Sequence, residues 1–281
     1  MYRFLWRPAW IVSHVLILAL IVAMVSLGLW QLRRLDERQD RNAQIEANSV
    51  AAPLTMDEAV AAVDVDGAEA ASFRPVRVAG TYDPAGEVAI RSRSFEGAPG
   101  RWVATPLVPS DGSPTVLVVR GWIPQAVDDT DPPIDGAEPP AGEVEVTGYL
   151  MPTQEQGTFG STDAPTGTLS ELSRVDVERF AQQYPGVEAS FWLQLSDQIP
   201  PTESDLLNTV TLPEPGDGPH LSYAVQWGIF TLIAIVGYPM ILRRVARQKR
   251  ADAAAPPGPR DDDAADGDRE PGSRPAEVGG G

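Results

Sequence analysis

The fold of this 281-residue chain is decided by two apolar stretches, AWIVSHVLILALIVAMVSLGLWQL at residues 9–32 and LSYAVQWGIFTLIAIVGYPMIL at residues 221–242. Neither stretch contains Asp, Glu, Lys or Arg. A bilayer core about 30 Å thick needs about 20 helical residues at 1.5 Å each, so each stretch is long enough to span it. A buried core helix is the alternative, but soluble helices rarely lack charge over such a length. We therefore expect two transmembrane helices.

A cleaved signal peptide is a second interpretation of residues 9–32. Arg3 and Arg7 form a basic start, and Ser26 and Gly28 offer a weak cleavage site. The apolar stretch, however, is longer than the roughly 7–15 residues of a signal-peptide core. It also ends in Trp30-Gln31-Leu32-Arg33-Arg34, a pattern typical of an interfacial anchor. These features favour an uncleaved helix.

Charge next to the second helix predicts the orientation. Five basic residues follow that helix, and two acidic residues precede it: Arg243, Arg244, Arg247, Lys249 and Arg250 after it, Glu214 and Asp217 before it. The basic side of a membrane helix is normally cytoplasmic. We thus expect a multi-pass membrane protein with both termini in the cytoplasm. Four arginines on the predicted outer side, after the first helix, do not follow this rule: Arg33, Arg34, Arg38 and Arg41. Long loops, however, translocate largely regardless of their charge.

The predicted extracytoplasmic domain, residues 33–220, is strongly acidic. It holds 31 acidic residues and 12 arginines, a net charge of −19, against −17 for the whole chain. Such a charge argues against nucleic acid as a partner and against adhesion to anionic lipid. The chain has no cysteine, which excludes disulfides, thiolate metal sites and cysteine nucleophiles. The domain must therefore be held together by its own hydrophobic core.

Hydrophobic periodicity predicts an α+β domain with a mainly antiparallel sheet or small barrel. The first helix should continue through residues 33–48, which contain neither Gly nor Pro. Thr55 and Glu58 form a capping box before a short helix at residues 56–63, and Asp176 caps another helix near 175–184. Period-two patterns between turn signals predict strands at residues 73–82, 87–92, 101–109, 115–123, 143–150 and 190–194, with turns at 97–100 and a hairpin at Asp111-Gly112.

Four segments lack such patterns. Residues 1–8 form a short cytoplasmic N-terminus, and residues 125–141 and 154–167 are expected to be polar loops. The segment 243–281 begins basic and continues with Ala, Pro, Gly and Asp. Its almost complete lack of large apolar residues predicts a disordered cytoplasmic tail. The pairs Asp128-Asp129 and Asp262-Asp263 are expected to be solvated, and no metal site is expected.

No catalytic constellation is visible, so an enzyme is not expected. The outer domain has no histidine before His220, no Gly-x-Ser-x-Gly elbow and no phosphate-binding glycine motif. His14 lies within the first helix and is expected to pack between helices or to face water. His220 lies at the outer end of the second helix, near Tyr223 and Trp227. It is either an interfacial polar residue or an axial ligand for a haem at the membrane edge.

Arg120-Gly121-Trp122 is the more specific motif of the outer domain. It ends the apolar segment 116–119 and precedes Pro124. One interpretation is packing at a strand end with a guard at the sheet edge. The other is a partner-binding patch, because Trp and Arg are frequent hot-spot residues.

The order of these motifs resembles the surfeit locus protein one family of cytochrome c oxidase assembly factors, over about residues 3–247. Any one motif is weak, but their order and the two flanking helices are specific. The motifs are Pro8-Ala9-Trp10, Gly28-Leu29-Trp30-Gln31 with Arg34, Phe73 to Gly80 with Tyr82-Asp83, Gly100, Thr105-Pro106-Leu107, Val119 to Pro124, Val146-Thr147-Gly148, and His220 to Trp227.

The resemblance implies a role in building cytochrome c oxidase, in or near haem insertion into its largest subunit. It implies that subunit and other assembly factors as partners, and transient haem a as the cofactor, with His220 at the matching position and Tyr223 and Trp227 beside it. Trp30, Gln31 and Arg34 join Arg120, Gly121 and Trp122 as candidate partner-binding residues. An accessory subunit bound permanently to a respiratory complex is the alternative. An envelope sensor is a weaker one, because no cytoplasmic segment resembles a signalling domain.

Overall fold

A computed structural model describes residues 6–127, 132–157 and 160–254 of the chain. Its contacts divide the chain into two units. One unit combines Met1–Leu32 with Leu221–Gly281, and the other is Arg33–His220. The pair Asp128-Asp129 and the tail with Asp262-Asp263 lie outside the described residues, so the expectations for them remain predictions.

Two long helices contain the apolar stretches. Helix α1 is Pro8–Ser49, and helix α4 is His220–Ala254. By length and composition, both are able to cross a membrane. Helix α1 runs without a break beyond Arg33 to Ser49, which confirms the predicted helical continuation. Between these two helices the chain forms a sheet domain.

Seven strands form one sheet: β1 Pro75–Tyr82, β2 Val88–Phe95, β3 Ala98–Pro109, β4 Val116–Pro124, β5 Glu143–Pro152, β6 Glu171–Leu172 and β7 Phe191–Ile199. The order of the strands is β1-β5-β7-β4-β3-β2-β6. Strand β1 also pairs with the end of β3, which closes β1, β5, β7, β4 and β3 into a five-stranded barrel. All pairs in the barrel are antiparallel except β4 with β7. The predicted mainly antiparallel barrel is confirmed.

The main core of the domain fills the barrel. Alternate residues of each strand point inward, as the two-residue period of a strand requires. They include Val76, Val78, Leu107, Val116, Val118, Val146, Leu150, Phe191 and Leu193, all at most 3% exposed. Helix α2, Met56–Asp66, adds Met56 and Ala59 to this core, and its predicted capping box is present at Thr55 and Glu58. A second core lies between the sheet and helix α3, Val177–Ala181, and is built around Phe180 and Trp192.

Several predicted boundaries are wrong. The expected turn at residues 97–100 is confined to Glu96 and Gly97, whose φ angles of 49° and 82° reverse the chain, and strand β3 already begins at Ala98. Strand β4, Val116–Pro124, agrees with the predicted strand at residues 115–123 to within one residue, and β3 pairs with it over that length, so Arg120 lies inside the strand. The two-residue strand β6 was not predicted. The hairpin at Asp111-Gly112 is confirmed, with Gly112 at a φ of 87°.

Candidate functional site

A buried ion pair lies at one end of the barrel interior. Arg120 projects from β4 on the same face as Val116 and Val118, and Glu87 directly precedes β2. The Nη2 of Arg120 lies 2.8 Å from the Oε2 of Glu87, and neither side chain has any exposed surface. An ion pair removed from water in this way persists only when its remaining donors and acceptors are also satisfied.

Neighbouring groups complete most of that network, and only Nη1 of Arg120 lacks a hydrogen-bond partner among the described residues of this site. Thr105 of β3 donates to Glu87 Oε2 at 2.7 Å and accepts from Arg120 Nε at 2.8 Å. The other carboxylate oxygen, Oε1, accepts from the backbone N–H of Ile134 at 3.0 Å, and Arg120 Nη2 also donates to the carbonyl of Ala137. The segment containing Ile134 and Ala137 is thereby attached to the barrel end through charge-assisted hydrogen bonds.

Tyr82 and Gln198 extend the network across the barrel. The hydroxyl of Tyr82 donates to Gln198 Oε1 at 3.0 Å, and Gln198 Nε2 donates to the hydroxyl of Thr202 at 2.8 Å. Burial raises the pKa of the Tyr82 phenol, and the nearby positive charge of Arg120 partly opposes this rise. Arg120, Gln198 and Thr202 also border a small cavity of about 180 Å³.

The neighbouring motif residues serve packing. Trp122 is 4% exposed, stacks on Phe95 with ring centroids 5.3 Å apart, and donates from Nε1 to the carbonyl of Arg93 at 3.2 Å. A Cβ on Gly121 would lie 2.6 Å from Leu207, so only glycine allows the segment at Leu207 to approach β4.

The geometry bears on the two interpretations of Arg120-Gly121-Trp122, packing at a strand end and a partner-binding patch. The motif lies within the central strand β4, and its side chains are buried inside the domain instead of guarding a sheet edge. A buried guanidinium and a buried indole present no surface to a partner. The geometry favours packing, the other interpretation of this motif.

The predicted haem residues lie at the start of helix α4. His220 is its first residue and is half-buried, whereas Tyr223 is 46% exposed. Positions 220, 223 and 227 share one helical stripe, because residues three and four apart lie on the same side of a helix. Trp227 contacts Phe230 edge-on, with ring centroids 5.9 Å apart. The stripe thus presents one imidazole followed by aromatic rings.

The residues that end the apolar part of α1 differ in environment. Trp30 is 52% exposed and Gln31 is half-buried. Arg34 forms an exposed ion pair with Glu37 at 2.7 Å, one turn further along the helix. An exposed pair of this kind contributes at most about 1 kcal/mol to stability, so it does not restrict Arg34 strongly.

The other histidine joins the two apolar helices. His14 Nδ1 lies 2.6 Å from the hydroxyl of Tyr238, and Ser13 Oγ lies 3.0 Å from the same oxygen. Further along α1, a Cβ on Gly28 would lie 3.5 Å from the Cβ of Trp227. The helices therefore pack antiparallel, and the packing role expected for His14 is the one that the geometry favours.

Sequence reasoning missed the partners of Arg120 and His14. The residues of these two networks come from strands or helices distant in the chain, and no local pattern marks them. They are Glu87 and Thr105 beside Arg120, Gln198 beside Tyr82, and Tyr238 beside His14. An arginine within an apolar strand was the one available signal, because a buried guanidinium requires a carboxylate partner. Among the described residues, no group of three His, Asp or Glu side chains is arranged to hold a metal ion.

This architecture defines a class of protein: two apolar helices, each able to cross a membrane, flank a sheet domain built on a closed five-stranded barrel. Residues 18–232 match the model of the SURF1 family. The chain belongs to the SURF1 family, which is membrane-associated and linked to cytochrome c oxidase assembly.

Curated relatives agree with this assignment. SURF1-like proteins of Mycobacterium bovis and of two strains of Mycobacterium tuberculosis are each 29% identical to the chain over 258 residues. These alignments cover 91% of this chain and 92% of each relative. The similarity therefore extends over both apolar helices and the sheet domain.

Proposed function

We propose that this protein is an assembly factor for cytochrome c oxidase that acts in or near the insertion of haem a into the largest subunit. The observation that carries the proposal is the family match over residues 18–232, which includes the whole barrel and most of both apolar stretches. The protein acts by binding and positioning and does not catalyse a reaction itself.

The proposed topology places both termini in the cytoplasm and the barrel domain outside a bacterial plasma membrane. The support is the exposed apolar surface of the two helices and the basic cluster that begins at Arg243. Reporter fusions at Asp128 and Ala253 test it. Activity of an extracytoplasmic reporter at Asp128 supports the topology, and activity of a cytoplasmic reporter there overturns it.

Haem a, when bound, would supply an iron that can take an imidazole nitrogen as a ligand. The chemistry of the α4 stripe fits one such ligand, because His220 is an imidazole followed on the same side by the rings of Tyr223 and Trp227. His14 contacts Tyr238, which lies 18 residues after His220 on the same helix, about 27 Å away. His14 is therefore too distant to act as the second ligand within one molecule. His220 would hold the group, and Tyr223 and Trp227 would cover its apolar edge.

The experiment is capture of a tagged full-length chain from a detergent extract, with an inventory of the subunits that accompany it. If the protein is an assembly factor, the largest oxidase subunit and other assembly factors should be captured with it, each in a smaller molar amount than the tagged chain. Capture should occur mostly in cells that are still synthesising oxidase. Recovery of a complete oxidase at one-to-one stoichiometry would instead identify a permanent accessory subunit. Absence of any oxidase subunit would overturn the proposal.

A further inference from the structure

Arg179 is a buried cation that has no carboxylate partner in the part of the chain that the structure describes. Its residue is 7% exposed and belongs to the short helix α3. The guanidinium donates from Nε to the carbonyl of Ala164 and from Nη2 to the carbonyl of Gly167, both at 2.7 Å. Its third nitrogen, Nη1, has no hydrogen-bond partner among the described residues, and no ion pair to Arg179 is present in that part of the chain.

This arrangement leaves the charge of Arg179 uncompensated. Two backbone carbonyls offer partial charges, whereas a guanidinium taken out of water normally needs an anion at close range. The other two buried arginines of the described domain, Arg101 and Arg120, show the usual solution, because Glu171 lies 3.3 Å from Arg101 and Glu87 lies 2.8 Å from Arg120. Among the described residues, no carboxylate lies within ion-pair distance of Arg179.

A cavity of about 310 Å³ borders Arg179. It is also lined by Arg174, Gln156, Thr162 and Gln182, which provide a second guanidinium, two amides and a hydroxyl. Its volume is at the lower end of the range for sites that bind small molecules, which is about 300–1,000 Å³. The cavity has the donors that a small oxyanion requires.

The carboxylates at this cavity are engaged elsewhere. Asp163 accepts from Arg91 Nη2 at 2.9 Å and from the backbone and hydroxyl of Ser173. Asp176 caps helix α3 by accepting from the backbone N–H of Arg179. Glu178 also lines the cavity but is exposed to solvent, and it forms no ion pair with Arg179. None of the three neutralises the guanidinium of Arg179 directly.

Further positive charge lies close by. Arg93 stacks over Trp102 at 4.3 Å from the ring centroid, and its Nη2 donates to Gln154. Burial, with the nearby charge of Arg174, lowers the pKa of Arg93. Three arginines, Arg93, Arg174 and Arg179, therefore lie around a cavity that three carboxylates also line.

We propose that the cavity between Arg174 and Arg179 is a binding site for a small oxyanion such as a phosphate group. Arg179 Nη1 donates to one oxygen of the anion, and the Arg174 guanidinium neutralises a second oxygen. The planar guanidinium matches the oxygen geometry of phosphate, so two of them suit a doubly charged anion. This site does not depend on the proposed role in oxidase assembly.

Thermal unfolding of the full-length protein in detergent, followed by tryptophan fluorescence, tests the site. Inorganic phosphate is the probe, and potassium chloride at equal ionic strength is the reference. A ligand that binds only the folded state raises Tm in a saturable manner, by about 3–5 °C at tenfold excess over its Kd for a domain of this size. An equal effect of chloride would overturn the proposal.

Three variants sharpen the test. Arg174→Gln removes the half-buried guanidinium and is expected to abolish the phosphate response. Gln182→Glu places a tethered carboxylate at the cavity, so we expect a higher Tm without phosphate and no further rise with it. Arg77→Gln is the matched control: it changes the same charge at an exposed pair with Glu145 and keeps the response. A full response in Arg174→Gln, or a lower Tm in Gln182→Glu, would contradict the site.

Discussion

The Oε2 of Glu87 lies 2.8 Å from the Nη2 of Arg120, and both side chains are completely buried at one end of the barrel. The pair joins the start of β2 to the centre of β4, and Thr105 and the backbone of Ile134 satisfy the remaining oxygen positions of the carboxylate. Such a pair is sensitive to the loss of one member, because the other is left charged and buried.

Glu87→Gln is therefore expected to destabilise the domain by about 3–5 kcal/mol. Chemical denaturation of the full-length protein in detergent measures the free energy of unfolding. Glu145→Gln is the matched control: it breaks the exposed pair with Arg77, and we expect a change of about 1 kcal/mol or less. Equal effects of the two substitutions would show that the buried pair has no special importance.

Packing of the apolar helices predicts a specific cross-link. A Cβ on Gly28 would lie 3.5 Å from the Cβ of Trp227, a separation suited to a disulfide. Because the chain has no cysteine, Gly28→Cys combined with Trp227→Cys should form one disulfide on mild oxidation without background. The disulfide is detected by cutting the polypeptide between the two helices, because the two fragments then migrate together on a non-reducing gel. Gly28→Cys with Val225→Cys is the control, and preferential cross-linking of that pair would contradict the observed packing.

The phenol of Tyr184 is expected to contribute less to the free energy of unfolding at high pH. Burial, together with the hydrogen bond to Asp83 at 2.7 Å and the charge of that residue, raises the pKa of the Tyr184 phenol to about 12, from about 10 in an unfolded chain. The folded state favours the neutral phenol, so its contribution is complete below about pH 10 and disappears as the pH rises towards 12. The stability difference between wild type and Tyr184→Phe should shrink over that interval. If the difference in the free energy of unfolding between wild type and Tyr184→Phe is constant from pH 9 to 12, the raised pKa of Tyr184 is contradicted.

His220 is the residue on which the proposed haem contact depends. We expect His220→Ala to lower the haem a that is carried by the purified protein while the amount of protein in the membrane stays unchanged. Absorbance spectra of protein from cells that make haem a measure this. His14→Ala removes the other imidazole and should leave the haem content unchanged. A wild type without haem above background would show that the protein acts on the oxidase through another contact.

Local features of the fold were predictable from the sequence. The apolar length of the helices, the capping box at Thr55 and Glu58, and the turn at Asp111-Gly112 each depend on residues a few positions apart. The same holds for most strands, whose two-residue periodicity indicates a sheet. These signals predicted a mainly antiparallel sheet or small barrel, and the structure has the barrel.

Long-range features were not predictable. Closure of the barrel by β1 and β3 and the parallel pairing of β4 with β7 depend on register between distant segments. The sequence left two interpretations of Arg120 open, packing at a strand end and a partner-binding patch. Its partner Glu87 lies 33 residues earlier in the chain and becomes a neighbour only through the pairing of strands.

The role in oxidase assembly is tested most directly by measuring the haem a content of the cell membrane. Reduced-minus-oxidised difference spectra are recorded from membranes of a strain that lacks this gene and of the same strain complemented with it. Without the gene, we expect the haem a band of the oxidase to fall several-fold, while transcription of the largest subunit is unchanged. Complementation should restore the haem a band. An unchanged haem a band and unchanged oxidase activity in the strain lacking the gene would contradict the proposed role in oxidase assembly.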